Sequence, residues 1–406
     1  MGIVPRPYQL VGRDFLAARR CALLADEMRI GKSGQAILAA RKVLAQRTLV
    51  VCPAIAVLQW RGEWWRWWPQ AGVAPTVVSY DRLRLNAAGI LANDYDLAIV
   101  DECHFAKNPT AQRTKLIYGK GGVGHRAKRL WVLSGTPAPK HAGELWPMLY
   151  AFGAVGLRYD EFLRRYCTIN PFTLKITGTN EKRIPELKTL LAKVMLRRTR
   201  KDVAPDMPRI GYNFLAVDPA GKPDYRAPTG LSDSQLLAWL EAHPTADQED
   251  RQAVALAKVP SVLDEITDAI ANGQIKQTVV FGWHVEPLRA LTAGLNLRGI
   301  RAAIITGATT PTERQRIQAD FRQGNVEVVV ANILAAGTAI DLSSASHGYF
   351  LELDWVSGNN EQAANRLVSM EKKEPVTFDV VTWAGSTDDR VQRVLLTRAS
   401  QLRRLY

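Results

Sequence analysis

Short apolar segments alternate with helix-like segments along both halves of this 406-residue chain. Strands that are apolar on both faces are typical of parallel sheets covered by helices. The first half has five such segments: CALLADE (21–27), RTLVVCP (47–53), PTVVSY (75–80), DLAIVDE (96–102) and RLWVLSGTP (129–137). GQAILAARKVLA (34–45) has the pattern of the helix that follows the first strand. The alternation predicts an α/β domain whose ligand-binding groups lie at the carboxyl ends of the strands.

The second half repeats this alternation. Its predicted strands are QTVVFGW (277–283), RAAIITG (301–307), VEVVVAN (326–332), HGYFLEL (347–353) and VTFDVVT (376–382). Amphipathic helical segments lie between them. We therefore expect two domains with mostly parallel sheets, at residues 1–205 and 256–406. Residues 206–255 are rich in proline, glycine and aspartate, and we predict a connector there with a short helix at SDSQLLAWLEA.

Composition narrows the classes of function. The chain has 53 Lys plus Arg against 39 Asp plus Glu, a formal net charge of +14. This excess favours a polyanionic partner, most simply nucleic acid, while a basic surface kept only for solubility is the alternative. No apolar run reaches the length of a membrane span, so we expect no membrane contact and a cytoplasmic, non-secreted protein. Four widely spaced cysteines without a CxxC pair argue against a zinc site or a disulfide framework.

Gly31, Lys32 and Ser33 stand between the first predicted strand and its helix. In that context, helix N-terminal amides bind phosphate, the lysine adds a positive charge and the serine hydroxyl holds Mg²⁺. A bare GKS is common by chance, so the strand–helix context carries the prediction. Arg29 stands where a small residue is usual in such loops, and a long cation there could still reach phosphate.

Two more groups of polar residues follow predicted strands. Asp101 and Glu102 come after DLAIV, where they suit Mg²⁺ coordination and the polarisation of water. An exposed acidic turn is the alternative, which the pairing with Lys32 disfavours. Ser134 and Thr136 end the next strand, and their chemistry alone does not decide between a simple turn and a link to the carboxylates.

The stretch WRGEWWRWWPQ (60–70) combines five tryptophans with two arginines. Aromatic rings beside arginine can stack on bases. Alternatively, Trp60, Trp64 and Trp68 bury one face of a helix. Their spacing of four residues favours the helix.

Taken in order, these motifs resemble the Swi/Snf-type branch of the superfamily-two helicases, and most closely its annealing-helicase group. In the first half, RPYQLVGRDFL (6–16) is similar to the adenine-recognition motif and ADEMRIGKS to the phosphate loop. DECHFAKNPTAQRTK (101–115) is similar to the DExH box, LSGTP (133–137) to motif III and MLRRTRKDV (195–203) to a helical protrusion. In the second half, TGATTPTERQ (306–315), ANILAAGTAIDLSSA (331–345) and EQAANRL (361–367) are similar to motifs IV to VI.

The resemblance implies two RecA-like lobes, with a helical protrusion on the first lobe at about residues 155–205. It implies a DNA-dependent ATPase that uses ATP and Mg²⁺ and contacts DNA mainly through phosphates. The implied nucleotide-binding residues are Gln9, Arg29, Gly31, Lys32, Ser33, Gly337 and Asp341, with Ser33 and Asp101 on Mg²⁺. The implied catalytic residues are Lys32, Asp101, Glu102 and Arg366. The implied coupling residues are His104, Ser134, Thr136 and Gln362, and the expected DNA contacts are Arg113, Lys115, Arg197, Arg198 and Arg314.

The chain departs from the family at Ala339, which replaces a motif V glycine, and at Ser369, where the family has its arginine finger. Loss of such a group costs on the order of 10³–10⁵ in rate in phosphoryl-transfer enzymes. Two functions therefore stay open: an active translocase or remodeller of duplex or branched DNA, and an ATP- and DNA-binding module with little hydrolysis. The retained Lys32, Asp101 and Glu102 favour the first.

Other readings are less consistent with the sequence. The Lys-Asn-Pro tail of the DExH box and the segment MLRRTRKDV disfavour an RNA helicase. An unrelated phosphate-loop enzyme would leave the motifs of the second half unexplained. The length resembles that of minimal bacterial or phage versions of the family, which a partner protein could guide. Lys372 and Lys373 could compensate for the missing finger.

Overall fold

The computed structural model describes residues 3–171, 173–218, 242–336, 340–369 and 371–383, together with Gln235, Trp239 and Ser386. Contacts divide the chain into two compact units between Pro205 and Asp206. None of the described helices is long and apolar enough to cross a membrane.

The first unit is built on a parallel sheet. Its strands are β1 (Cys21–Leu24), β2 (Thr48–Cys52), β3 (Thr76–Ser79), β4 (Leu97–Asp101), β5 (Arg129–Leu133), β6 (Cys167–Ile169), β7 (Ile176–Thr179) and β8 (Met195–Leu196). Six of them pair in the order β3-β2-β4-β5-β1-β8, and every pair is parallel. β6 and β7 form a separate antiparallel hairpin. The five strands predicted for this half are confirmed, because their continuous apolar runs are buried in the sheet.

Eleven described α-helices accompany this sheet. They are α1 (Pro7–Ala17), α2 (Lys32–Lys42), α3 (Val57–Trp67), α4 (Tyr80–Leu85), α5 (Ala87–Leu91), α6 (Gln112–Tyr118), α7 (Val123–Arg126), α8 (Trp146–Ala151), α9 (Tyr159–Tyr166), α10 (Ile184–Ala192) and α11 (Arg200–Val203). Trp60, Trp64 and Trp68 are 2%, 1% and 7% exposed, so the prediction that they bury one face of a helix is confirmed.

The segment predicted as a helical protrusion, residues 155–205, differs from that description. It contains the β6–β7 hairpin between α9 and α10, and its last part returns to the sheet as β8. Phe162, Leu187 and Leu191 are fully buried in the same hydrophobic core as the sheet residues. The buried apolar side chains of this segment therefore pack into the core of the first unit.

The second unit repeats the architecture. Its strands are β9 (Ile210–Val217), β10 (Thr278–Gly282), β11 (Ala302–Ile305), β12 (Val328–Asn332), β13 (His347–Phe350) and β14 (Val376–Trp383). They pair in the order β11-β12-β10-β13-β14-β9, again with every pair parallel. Its described α-helices are α12 (Pro244–Ala271), α13 (Val285–Leu297), α14 (Pro311–Gln323), α15 (Ile333–Ala336) and α16 (Ser357–Ala364). The predicted α/β fold of two RecA-like lobes with mostly parallel sheets is confirmed.

Residues 206–255 differ from the predicted connector. The segment Ile210–Val217 is an edge strand that pairs with β14 along its whole length, and α12 begins at Pro244. The helix predicted at SDSQLLAWLEA lies largely outside the described residues. The segments that flank the strand are rich in Pro, Gly and Asp, and this composition led to the prediction of a connector for the whole range. The strand itself contains only Gly211 of these residue types.

Candidate nucleotide site and its surroundings

The loop between β1 and α2 has the geometry of a phosphate-binding loop. Gly31 is the residue before α2, with φ of 78°, a left-handed conformation that glycine adopts without strain. No described side chain caps α2, so the N–H groups of its first turn point toward the loop without a side-chain acceptor. The Lys32 ammonium donates to the backbone carbonyls of Asp26 at 2.9 Å and Glu27 at 3.2 Å. Free helix N–H groups beside a lysine fit the phosphates of ATP.

Arg29 lies in the same loop with φ of 70°, which is strained for a residue with a side chain. The residue as a whole is half-buried. Burial lowers the pKa of Lys32, while the charges of Glu102, Asp26 and Asp101 oppose that shift. Three carboxylates therefore favour the charged form of Lys32, while burial disfavours it.

Asp101 is the last residue of β4, at the carboxyl edge of the sheet. Its Oδ2 accepts a hydrogen bond from the Trp60 indole N–H at 2.7 Å, and its Oδ1 accepts one from the Glu102 backbone N–H at 3.0 Å. Burial raises the pKa of Asp101, and the neighbouring Glu102 charge raises it further. A desolvated pair of carboxylates at this place fits a bound divalent cation, which would relieve the repulsion.

The carboxylate of Glu102 belongs to a compact polar network. The Ser134 hydroxyl donates to Glu102 Oε2 at 3.3 Å and lies 3.0 Å from His104 Nδ1. The Thr136 backbone N–H donates to the same hydroxyl at 3.1 Å. The structure thus brings together Glu102, which the resemblance implied to be catalytic, and His104, Ser134 and Thr136, which it implied to be coupling residues. Glu102 itself has φ of 50°, a strained conformation at the end of a strand.

His104 is neutral in this network. Burial lowers its pKa to about 3. Its Nδ1 lies 3.3 Å from Glu102 Oε2, and because the ring is neutral at neutral pH this contact is not an ion pair. His104 therefore keeps one protonation state through the physiological range.

Arg197 and Arg198 were expected to contact DNA, and the structure places both beside the phosphate loop. The Arg198 guanidinium donates to both Asp26 carboxylate oxygens, at 3.1 and 2.6 Å, and to Gln35 Oε1 at 2.8 Å. Arg197 donates to the carbonyls of Ala25 and Gly135, both at 3.0 Å. Since Asp26 is fully buried, the Arg198 pair holds the base of the loop, and the donors in these bonds are engaged within the first unit.

The other predicted residues of the first unit lie as follows. Gln9 is 3% exposed in α1, and its side-chain oxygen accepts from the Arg6 backbone N–H at 2.9 Å, so part of its amide already caps the helix. Ser33 is half-buried in the first turn of α2. Arg113 and Lys115 are exposed on α6, as a phosphate contact requires.

In the second unit, Gln362 and Arg366 lie on consecutive turns of α16 and the short helix after it. Gln362 is 5% exposed, and its side-chain N–H₂ group has no partner among the described residues. Arg366 donates to the Ile340 carbonyl at 3.5 Å. The backbone N–H of Asp341 donates to Gln318 Oε1 at 3.1 Å, and its carboxylate accepts from the Ser343 N–H at 3.2 Å. Gly337 and Ala339 lie outside the described residues.

Arg314 was also expected to contact DNA, and the structure gives it a different environment. Its guanidinium donates to three backbone carbonyls, those of Thr309, Ala335 and Thr306, at 3.0, 2.8 and 2.7 Å. Burial lowers its pKa. These bonds join the loop before α14 to α15, so Arg314 holds backbone segments together in its own unit.

Lys372 does not stand ready to replace the missing arginine finger. Its ammonium is buried and donates to the carbonyls of Ser343 and Leu367, at 3.0 and 3.3 Å, and to that of Ala345. Burial lowers its pKa to about 8. Its three donors are therefore used within the unit, whereas Lys373 is exposed and Ser369 half-buried.

Comparisons with known proteins agree with this geometry. Residues 76–221 match the model of the SNF2-related domain, and residues 258–370 match the helicase conserved C-terminal domain. The chain carries an SNF2-related domain followed by a helicase C-terminal domain. The boundary between the two units, after Pro205, lies near the end of the first match.

Similar proteins span greater lengths than this chain. A Bos taurus protein named SWI/SNF-related matrix-associated actin-dependent regulator of chromatin subfamily A-like protein 1 is 28% identical over 421 residues, covering 94% of this chain and 43% of the relative. The DNA annealing helicase and endonuclease ZRANB3 of Mus musculus is 26% identical over 444 residues, covering 98% and 40%. A solved Sulfolobus solfataricus SWI2/SNF2 ATPase core in complex with dsDNA aligns with a TM-score of 0.47 and 19% identity, covering 99% of this chain and 92% of that one.

Three side-chain contacts near the carboxylates and the DExH box were not predicted. Besides the Trp60 bond to Asp101, the Tyr80 hydroxyl donates to the carbonyl of Asp101 at 2.7 Å and lies 3.1 Å from that of Glu102. The Lys107 ammonium pairs with the buried Glu144 carboxylate at 2.8 Å. Tyr80 follows β3, and a polar aromatic residue at the carboxyl end of a strand was a signal that could have revealed it.

The helicase C-terminal domain has an unpredicted carboxylate at the edge of its sheet. Glu352, two residues after β13, accepts from the backbone N–H groups of Trp283 and His284 at 3.0 and 2.9 Å. Its other oxygen lies 2.6 Å from His284 Nδ1. Burial favours a raised pKa for Glu352, but the hydrogen bonds and charge of His284 outweigh it, and the net pKa is lowered.

Proposed function

We propose that this chain is a DNA-dependent ATPase that acts as a translocase or helicase-like remodeller of duplex or branched DNA. One observation carries the proposal. A phosphate loop with an uncapped helix lies at the same sheet edge as the paired carboxylates Asp101 and Glu102, and Ser134 links Glu102 to motif III. This arrangement suits ATP with Mg²⁺ better than a non-nucleotide ligand.

Each residue has a definite task in this proposal. Bound Mg²⁺ would neutralise charge on the phosphates. Lys32 would exchange its two carbonyl acceptors for phosphate oxygens, and Asp101 with Ser33 would hold the metal. Glu102 would orient and polarise the attacking water. Because His104 stays neutral, it would hold the Ser134 hydroxyl by a hydrogen bond and would not carry the proton.

DNA is the partner that the charge favours. The net charge is +14, and the exposed Arg113 and Lys115 of α6 offer phosphate contacts. One relative is named a DNA annealing helicase and endonuclease, and we extend only the helicase-like part of that name to this chain. The chain spans about two fifths of the length of the bovine and murine relatives. A guiding partner protein is part of the proposal.

A second candidate is a binding module that holds ATP and DNA but hydrolyses little. Ser369 favours it, because a serine cannot stabilise the charge of a phosphoryl-transfer transition state as an arginine does. The engagement of Lys372 with backbone carbonyls also favours it.

The deciding experiment measures ATP hydrolysis with Mg²⁺, without DNA and with forked, duplex or single-stranded DNA. Wild type, Lys32→Ala and Ser369→Arg are compared. We expect DNA-stimulated turnover that Lys32→Ala abolishes. Turnover that appears only in Ser369→Arg would instead establish the binding module. Silence in all three variants, with ATP and DNA still bound, would contradict the ATPase proposal for the isolated chain.

A further inference from the structure

A cavity of about 500 Å³ opens on the first unit between α6, α7 and α8. Its lining contains none of the residues of the nucleotide site. The volume lies within the range of small-ligand pockets, so it accommodates one nucleotide.

One wall of the cavity is a rigid aromatic platform. The Trp146 indole N–H donates to the Leu157 carbonyl at 2.8 Å, and the ring lies 5.2 Å from that of Tyr159, so its orientation is fixed. Tyr150 stacks on Trp146, with 4.9 Å between ring centroids and an interplanar angle of 26°. Tyr150 nevertheless keeps 53% of its surface exposed. An exposed ring backed by a fixed indole can stack on a planar ligand at little entropic cost.

The rim of the cavity is basic. Lys115, Lys120 and His125 line it and are all exposed, and no acidic residue is among the described lining residues. Lys115 lies in the last turn of α6, and Lys120 lies two residues after the end of that helix, so both lysines stand on the same side of the cavity in the chain. Tyr118, which is 6% exposed, contributes an aromatic floor. A planar aromatic ring attached to phosphates is the ligand that this combination fits.

We propose that this pocket binds one unpaired base of a DNA strand, stacked on Tyr150, with the adjoining phosphates on Lys115 and Lys120. The inference rests on the proposed function, because it takes DNA as the polyanionic partner. A base inside a duplex is already stacked on its neighbours and cannot enter, whereas a base at a fork or gap has a free face. The pocket therefore gives the chain a preference for DNA with unpaired bases over blunt duplex.

The test measures equilibrium binding of the full chain, without ATP, to forked and blunt duplex DNA of equal length by fluorescence anisotropy. Tyr150→Ala is expected to weaken fork binding by at least roughly fivefold, the effect of losing one base–aromatic stack, and to leave blunt-duplex binding unchanged. Tyr150→Trp should restore fork binding. Trp65→Ala, at a comparably exposed tryptophan of the same unit (43% exposed), is the matched control and should change neither affinity.

A 2-aminopurine placed at the unpaired position gives a second readout. Its fluorescence should be quenched on binding to wild type and not to Tyr150→Ala, provided both proteins show the same thermal unfolding. Equal losses on fork and blunt duplex, or no loss with Tyr150→Ala, would overturn the proposal. Displacement of the fork by a free deoxynucleoside monophosphate at similar concentrations would overturn it too, because the pocket would then be a free-nucleotide site. Wild type that binds no DNA at all would instead contradict the proposed function.

Discussion

The Trp60 indole N–H donates a hydrogen bond of 2.7 Å to Oδ2 of Asp101, across 41 residues of sequence. Trp60 is buried in α3, and Asp101 ends β4 at the sheet edge. The bond fixes one carboxylate oxygen, while the Glu102 backbone N–H fixes the other. The aromatic helix thus takes part in the proposed ATPase site by orienting the predicted metal ligand.

Replacing Trp60 by phenylalanine tests this role. Trp60→Phe keeps most of the buried ring but removes the N–H, so Asp101 loses an orienting donor. We expect the Mg²⁺ concentration for half-maximal ATP hydrolysis to rise roughly tenfold, as for other residues that orient metal ligands. Trp65→Phe, on the exposed side of the same helix, should leave the Mg²⁺ dependence unchanged. An unchanged Mg²⁺ dependence in Trp60→Phe would show that the bond serves packing alone.

The raised pKa of Asp101 makes stability and Mg²⁺ binding depend on pH. Burial and the Glu102 charge disfavour the ionised form. A carboxyl group whose folded pKa lies above its unfolded value stabilises the fold at low pH, and that stability is lost as pH rises through the folded pKa. Without Mg²⁺, the first unit should therefore become less stable as pH rises from the unfolded pKa of aspartate toward neutrality, and Mg²⁺ should reverse the loss.

The measurement is thermal unfolding between pH 5 and 8 with and without Mg²⁺. Asp101→Asn cannot ionise, and it should remove both the pH dependence from this group and the stabilisation by Mg²⁺. A Mg²⁺ effect of equal size in Asp101→Asn would place the metal on other ligands.

The ten strands predicted from the sequence are all present in the structure. Buried parallel strands are continuous apolar runs, and such runs can be identified in the sequence without knowing which strands pair. The sequence prediction missed β6 and β7, a short antiparallel hairpin, and β8, which has only two residues. It also missed β9, an edge strand with polar and exposed positions. It also missed the first turns of α12, a helix that continues through Pro260. Val259 and Val262 beside that proline are buried, and their packing offsets the cost of a proline inside a helix.

The site was predictable where strand ends bring residues together, as for Asp101, Glu102 and Ser134. Arg198 was not, because its partner Asp26 lies 172 positions earlier, and no local pattern distinguishes a buried arginine from a DNA contact. The local sequence shows that Arg198 is charged, but it does not show that Asp26 is its ion-pair partner.

Arg198→Ala separates a structural role from a DNA contact. The substitution leaves the fully buried Asp26 carboxylate without its guanidinium, which we expect to cost about 3–5 kcal/mol of the free energy of unfolding of the first unit. Arg164→Ala removes a pair that is exposed on both sides and should cost far less. Denaturant unfolding measures both variants.

The salt dependence of DNA binding by the folded Arg198 variant checks the same point. Its slope should equal that of wild type, because no phosphate contact is lost. A shallower slope with unchanged stability would show that Arg198 contacts a DNA phosphate. The double variant Asp26→Asn with Arg198→Met should lose less stability than the sum of the single changes, since it leaves no buried charge unpaired.

Arg29→Gly relieves the strained loop conformation and tests whether the arginine contributes to ATP turnover. The φ of 70° disfavours any residue with a Cβ, so glycine should stabilise the first unit by about 0.5–1 kcal/mol after its greater unfolded-state entropy is included. Leu44→Gly is the matched control, because Leu44 has φ of 52° and lies exposed beyond the end of α2, away from the loop. Both variants should gain stability, but only Arg29→Gly should lose ATP turnover, and Arg29→Lys should retain most of it. If Arg29→Gly is more stable and equally active, the arginine does not reach the phosphates, and the strain serves no step of hydrolysis.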